Sequence, residues 1–452
     1  MKKYFVRDRA FYKLLFALLL PVVAQNMITI GVNIMDNVML GKYGEVQLSG
    51  CSLANDFINI FHILCMGMGS GAAVLTAQYY GEKRPDKSRQ TVAIMFRICF
   101  VLVILFSAAS LIFSKQILHI YTTDEEVIEQ GALYLRLSVP TFLLMGISQT
   151  LTMVLRSVRK AHYPLYASIV GFVCNVFFNW VFIFGHLGAP ELKIAGAAIG
   201  TVLARVFETA MVAGYFFFKD KEINFRFKDF FLPAGYLLKH YIHYSIPVLF
   251  SDLLLALGNT MVSIVIGHVS TEFVAANAII ATIVRLSTVF AQGLGNGAAT
   301  IVGNELGAGK IEEVRLEART MAILAVGFGV VAGGVILILS PWIISLYEIT
   351  ETTRGIAKQM MVAVSIMVVF QALQSVLTKG ILRGGGDTQF CLFADAGFLW
   401  LVSVPLGYLT GVVWGLSPFI IYISLKIDWM LKDILCLFRL KSGKWMKKVP
   451  TA

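Results

Sequence analysis

Long apolar stretches, each closed by a charged or Gly/Pro-rich break, recur along the whole chain. They predict membrane-spanning helices over 14–40, 51–79, 91–114, 130–154, 163–185 and 195–217. After a basic stretch they resume over 242–267, 273–303, 318–344, 358–381, 389–410 and 414–435. About 20 apolar residues suffice to cross a bilayer, so each of these twelve is long enough. The first run is preceded by Lys2, Lys3, Arg7 and Arg9, as a signal peptide would be. It continues to Val38 without a small-residue cleavage site, and is expected to be retained as the first span.

The breaks carry charge in alternation. One set holds Lys2, Lys3, Arg7, Arg9 and Lys13, then Lys83, Arg84, Lys87 and Arg89, then Arg156, Arg159 and Lys160. Continuing along the chain, it holds Lys219, Lys221, Arg226, Lys228 and Lys239, then Lys310, Arg315 and Arg319, then Lys379 and Arg383, and seven more bases from Lys426 to Lys448. The opposite set holds Lys42, Lys115, Lys193, Arg354 and Lys358 with the acids Asp124, Glu125, Glu126 and Glu129. By the positive-inside rule both termini are expected in the cytoplasm, which an even number of spans satisfies.

Composition narrows the class further. Of 452 residues 57% are apolar and 14% charged, against about 25% charged in soluble proteins. A soluble enzyme and a disordered chain are both excluded. The net charge of +11 is read as orientation rather than nucleic-acid binding. Six cysteines (Cys51, Cys65, Cys99, Cys174, Cys391, Cys436) stand singly, with neither zinc spacing nor a disulfide framework.

The chain is an internal duplication. Pro21…Gly41 in span one answers Pro247…Gly267 in span seven, an offset of 267 − 41 = 226. Gly67-Met-Gly69-Ser-Gly71 in span two answers Gly293-Leu-Gly295-Asn-Gly297 in span eight, again 293 − 67 = 226. Leu155-Arg156 answers Leu382-Arg383 at 383 − 156 = 227. The expected organisation is an N-terminal six-helix bundle over 1–217, a cytoplasmic basic linker over 218–241, and a C-terminal six-helix bundle with a basic tail over 242–452. The expected fold class is an all-α membrane protein of twelve transmembrane helices in two bundles. Six is even, so both halves enter the membrane in one sense and are related by a pseudo-two-fold axis along its normal. The glycine runs lie inside spans, which fits close helix–helix approach and not a nucleotide loop.

Acids within spans are costly and mark functional candidates. Asp36 lies about 23 residues beyond Lys13, roughly 34 Å of helix, near the outer end of span one. It reads either as an interfacial acid or, if the helix tilts or bends at Pro21, as an acid kept within the bundle. Asn175 and Asn179, four apart, share one face of span five, and Thr201 of span six offers a further oxygen. Such oxygens suit a hard cation, while hydrogen bonding between helices is an equal reading. Asp252 stands alone within span seven and is expected to face a central cavity, as a substrate contact or secondary ion site. Arg205 and Glu208 read as a structural pair, and His62 as a satisfied core histidine. No metal is expected beyond Na+.

These residues resemble the multidrug and toxic compound extrusion (MATE) family of bacterial type. The resemblance rests on Leu382-Arg383-Gly384-Gly385-Gly386-Asp387-Thr388, the Pro21…Asp36 span and Gln78-Tyr79-Tyr80-Gly81. It rests also on Asn175-Val-Phe-Phe-Asn179-Trp-Val-Phe-Ile-Phe-Gly185 and Gly196-Ala-Ala-Ile-Gly-Thr201. It covers essentially the whole chain. It implies a monomeric cell-membrane exporter of amphipathic, often cationic small molecules, with no cofactor and with H+ or Na+ as coupling ion. Asp36 matches the family's first-span acid, and Pro21 the proline whose helix is proposed to bend when that acid is protonated. Asn175 and Thr201 match oxygen ligands of the N-terminal cation site. Asn179 stands where some members carry a second aspartate, and Asp252 where many carry a glutamate. Gln371 occupies a position that is acidic in some members.

Three functions compete on these residues. Ion-coupled antiport by alternating access fits the lone acid Asp36 best. A flippase for lipid-linked precursors needs cavity bases, of which the spans offer Arg97, Arg136, Arg205 and Arg285. An intramembrane aspartyl protease would use Gly384-Gly385-Gly386-Asp387 with a second acid in a Tyr-Asp pair, which the sequence lacks. The expectation is a transporter and not an enzyme.

Overall fold

The computed structural model describes residues 5–233, 235–347 and 349–449. Lys2 and Lys3, counted above in the basic set, lie outside the described residues. Among those described, helices alone make up the regular structure and no strand occurs. Twelve are long: α1 Arg9–Gly41, α2 Glu45–Gly81, α3 Pro85–Ile112, α4 Val139–Ser157, α5 His162–Phe184 and α6 Lys193–Lys219. They continue with α7 Leu237–Val269, α8 Thr271–Gly307, α9 Ile311–Ser345, α10 Glu351–Leu382 and α11 Thr388–Val413, and end with α12 Pro418–Ser442.

The first eleven are long and apolar enough to cross a membrane. The twelfth, 25 residues long, carries Lys426, Asp428, Lys432 and Asp433 in its middle. Asp428, Lys432 and Asp433 are buried, while Ile434, Leu437 and Phe438 on the other face are exposed. Its central charges therefore form an inner polar face, and the helix keeps an apolar outer surface. The fourth predicted span also starts elsewhere. Residues Glu125–Leu137 form a separate helix, and the chain breaks at Ser138 before α4. Pro140 accounts for the break, because it has no N–H to bond the carbonyl one turn back and its ring crowds the preceding turn.

The chain divides into two compact units: residues through Val23 with Phe250 onward, and Ala24–Leu249. Each division falls within a long helix two residues beyond a proline, Pro21 of α1 and Pro247 of α7.

The duplicated glycine runs do the same work in each unit. In the Ala24–Leu249 unit, a Cβ built on Gly67 would lie 2.9 Å from Leu249 Cα, and one on Gly71 2.6 Å from Ser245 Cα. Gly69 faces Met153 and Thr150 of α4 in the same way. In the other unit Gly293 receives Val23 and Leu19 of α1, Gly297 receives Leu15, and Gly295 lies against Ser375 of α10. Small residues let helix backbones approach where lipid supplies no hydrophobic drive to association. Away from these seams the helices show lipid-type faces, such as Phe100, Val101, Ile104 and Leu105 on α3 and Val330, Val331 and Ile338 on α9.

Candidate functional site

Within the Ala24–Leu249 unit, a tight α5–α6 seam sets the amides of α5 in place. Gly196 passes against the backbone of Phe182, and Gly200 leaves the room that the Asn179 amide oxygen occupies. Asn179 Nδ2 donates to Asp36 Oδ1 at 2.6 Å and lies 3.4 Å from Asn175 Oδ1. The Asn175 side chain is itself within hydrogen-bonding reach of Asp36. Asp36 is partly buried, while Asn175 and Asn179 are buried. The structure thus brings together the acid of α1 and both amides of α5, and the reading of Asp36 as a purely interfacial acid gives way to an acid held by its own unit. Asn179 Oδ1 is buried with no hydrogen-bond partner among the described residues. It is a buried acceptor beside a carboxylate, and buried acceptors are ordinarily hydrogen-bonded.

A small cleft of about 60 Å³ opens beside this cluster, with Asn175 and Thr201 on its wall together with Thr29, Asn33, Arg205 and Glu208. Thr201 faces this cleft, but its side chain is linked to the Tyr134 hydroxyl. Arg205 Nη1 pairs with Glu208 Oε2 at 2.6 Å, and the absent side chain of Gly171 makes space for that carboxylate. Pro21 lies inside the uninterrupted helix α1. Sequence reasoning missed Tyr134, which is buried and lies 3.4 Å from Asn55 Oδ1. A lone tyrosine in a short helix gave no pattern to find. His62 lies within reach of Gln149.

A second polar node of this unit was also missed. Arg156, buried near the end of α4, donates to Gln25 Oε1, and Gln25 Nε2 donates to Ser168 Oγ at 2.9 Å.

In the other unit Asp252 is not alone. Arg383 grips it with two contacts, Nη2 to Oδ1 at 3.1 Å and Nη1 to Oδ2 at 3.3 Å. The sequence offered no neighbour because the arginine is 131 residues away. Arg383 follows a widened, π-type stretch over Ser375–Leu382, a distortion often found where a helix must present a functional group. Asp395 lies 3.9 Å from the same guanidinium and accepts hydrogen bonds from Ser251 and Gln374. Asp387, of the Gly384-Gly385-Gly386-Asp387 turn, is fully buried and paired with Arg439 and Lys447. Gly385 lies against Trp445. That turn anchors the C-terminal segment.

Known proteins share the sequence pattern and the fold of this chain. The family model MatE matches residues 21–181 and 247–409. The probable multidrug resistance protein NorM of Thermotoga maritima is 25% identical, covering 96% of this chain and 93% of its own. The multidrug resistance protein MdtK of Yersinia enterocolitica is 22% identical, covering 100% and 98%. Among solved structures, a MATE in the straight conformation matches with a TM-score of 0.86 at 18% identity over 96% of each chain. An outward-facing multidrug resistance MATE family transporter matches with 0.86 at 17% identity, also over 96% of each. Such likeness speaks for the fold.

Proposed function

Because this chain belongs to the MATE family, a family of membrane transporters and not of enzymes, we propose that it is a secondary active multidrug efflux protein. It exports amphipathic or cationic compounds against H+ or Na+ by alternating access, as a monomer in the cell membrane with both termini in the cytoplasm. It needs no cofactor besides its coupling ion. The names of its relatives, NorM and MdtK, support efflux of several drugs. The observation that carries the coupling is the Asp36–Asn179–Asn175 cluster with its open amide oxygen beside the cleft. An ion taken up from outside neutralises Asp36 and favours the state that opens inward, with Pro21 letting α1 bend. Substrate entering from the cytoplasm favours release of the ion. Exchange follows because the two ligands prefer different states of one protein.

Of the four bases a lipid-linked flippase would use, three are already engaged. Arg97 donates to the Phe230 carbonyl, Arg136 to Ser114 Oγ, and Arg205 holds Glu208. That favours drug antiport over pyrophosphate capture.

The test is efflux of a cationic dye from proteoliposomes under separately imposed pH and sodium gradients. Asp36→Asn is expected to reduce gradient-driven efflux to that of protein-free vesicles while dye binding survives. Unchanged efflux in that variant would remove Asp36 from the coupling.

A further inference from the structure

The buried charges on α12 form a group that the cleft and Asp36 do not use. Lys432, 1% exposed, lies 2.8 Å from Asp428 Oδ2 and 3.9 Å from Asp395 Oδ1. Asp428 also accepts from Ser403 Oγ at 3.0 Å. Asp395 is shared between Lys432 and Arg383, and Arg383 in turn holds Asp252. Asp433, next to Lys432 in the chain, is 2% exposed, yet both its carboxylate oxygens lack any hydrogen-bond partner among the described residues. Three of these four acids are satisfied by donors and cations; Asp433 is not.

We propose that Asp433 is a second proton-binding site of this protein, seated in the unit that contains α8–α12 and linked to Asp252 through Lys432, Asp395 and Arg383. The charge count points that way. Four carboxylates stand with two cations, only three of them touch either one, and an ionised carboxylate cannot stay buried without donors. Around Asp433, α12 itself contributes Asp428, Lys432 and Cys436, with Lys426 placed over the Trp429 ring. Cys436 in turn borders Asp395 of α11 and Asp387 of the turn before it, while Arg383 and Lys379 lie beyond them, beside Cys391 and Asp252. None of these places a cation at contact distance from Asp433 among the described residues.

A proton from water adds to one Asp433 oxygen and leaves a neutral acid able to donate a hydrogen bond. Its loss restores a negative charge beside Lys432. The ammonium then has three acids to serve instead of two, Asp395 shifts its weight towards Arg383, and the Arg383–Asp252 grip on α7 loosens. The residues of α12 thus give the second half of the duplication a titrating group of its own. This extends the ion-coupling reading but does not depend on Asp36.

Infrared difference spectroscopy of the purified full-length protein, stepped between acidic and alkaline buffer, reads protonated carboxyl groups directly. Wild type and Asp36→Asn are both expected to show a buried-carboxyl C=O band that Asp433→Asn loses. Asp433→Glu is expected to move that band, which covers the case in which the amide variant does not fold. In proteoliposomes, Asp433→Asn should lower the protons exchanged per substrate to those carried by Asp36 alone. A spectrum unchanged by both Asp433 substitutions overturns the proposal, even if Asp36 proves essential for transport. Loss of transport in Asp36→Asn with the Asp433 band intact would leave it standing.

Discussion

The two units build the same node around a duplicated arginine and finish it with different chemistry. Arg156 near the end of α4 reaches Gln25 of α1 and through it Ser168 of α5. Arg383 after α10 reaches Asp252 of α7 and faces Asp395 of α11. The displacements agree: 252 − 25, 383 − 156 and 395 − 168 all equal 227. Counted from the prolines, Gln25 lies 25 − 21 = 4 residues on and Asp252 lies 252 − 247 = 5, so each partner sits about one turn past its proline. The same displacement pairs Arg205 with Lys432 (432 − 205 = 227) and Thr201 with Asp428 (428 − 201 = 227). The duplication has therefore kept the cations in place while their partners diverged. Neutral groups stand beside Arg156 and carboxylates beside Arg383. The first half instead places its unshared acid, Asp36, four turns past its proline.

This difference should appear first in stability. Arg383→Met strands Asp252 and leaves Asp395 with one cation, and breaking a buried pair from one side costs about 3–5 kcal/mol. Arg156→Met leaves Gln25 and Ser168 still bonded to each other, and loss of the Arg156–Gln25 hydrogen bond to a charged donor costs about 1.5–3 kcal/mol. Thermal unfolding in detergent should rank Arg383→Met well below Arg156→Met. Equal midpoints would mean that the carboxylates of the second node are not ionised together with their arginine, and the contrast drawn here would dissolve.

A smaller effect is expected at the glycine seams, which are displaced by 297 − 71 = 226. At Gly71 an added Cβ would meet the Ser245 backbone, with Cα at 2.6 Å. Overpacking against backbone costs about 1–3 kcal/mol. At Gly297 the nearest atom is the Leu15 Cδ1 methyl, at 3.4 Å, an ordinary contact. Gly297→Ala should be neutral or gain up to about 1 kcal/mol from the better helix former. Thermal melting of the two alanine variants compares the seams directly, and a matched loss at both would show that they are equally tight.

What the sequence disclosed followed a simple division. Anything governed by apolar period or by the repeat could be read: twelve long helices, the glycine contacts, and Asn175 and Asn179 on one face of α5. Asp36 was legible because an acid within an apolar run has few inexpensive places to go. Contacts that join distant helices were not legible. Nothing near Asp252 in the chain announces Arg383, and the bases of α12 looked like part of a basic tail until Lys432 proved buried. The break at Ser138 was signalled by Pro140 but hidden within a continuous apolar run. Charge in a spanning helix raises the question of a partner, and only packing answers it.

The smallest expected effect probes whether the two nodes are interchangeable. Gln25→Glu places a carboxylate where Arg156 already directs its guanidinium, recreating the Asp252–Arg383 arrangement in the other unit. The new acid meets the Arg156 guanidinium that Gln25 already contacts, and the Coulombic gain roughly offsets the desolvation of one more charge. Stability should therefore shift by less than about 1 kcal/mol, and dye efflux should persist because Asp36 and its amides are untouched. If Gln25→Glu instead lowered the melting midpoint as far as Arg383→Met does, the site around Arg156 could not solvate a carboxylate. The neutral partners of that half would then be a requirement of its packing and not a freedom left by duplication, and the acid of the second half would owe its place to donors such as Ser251 and Gln374 as much as to its arginine.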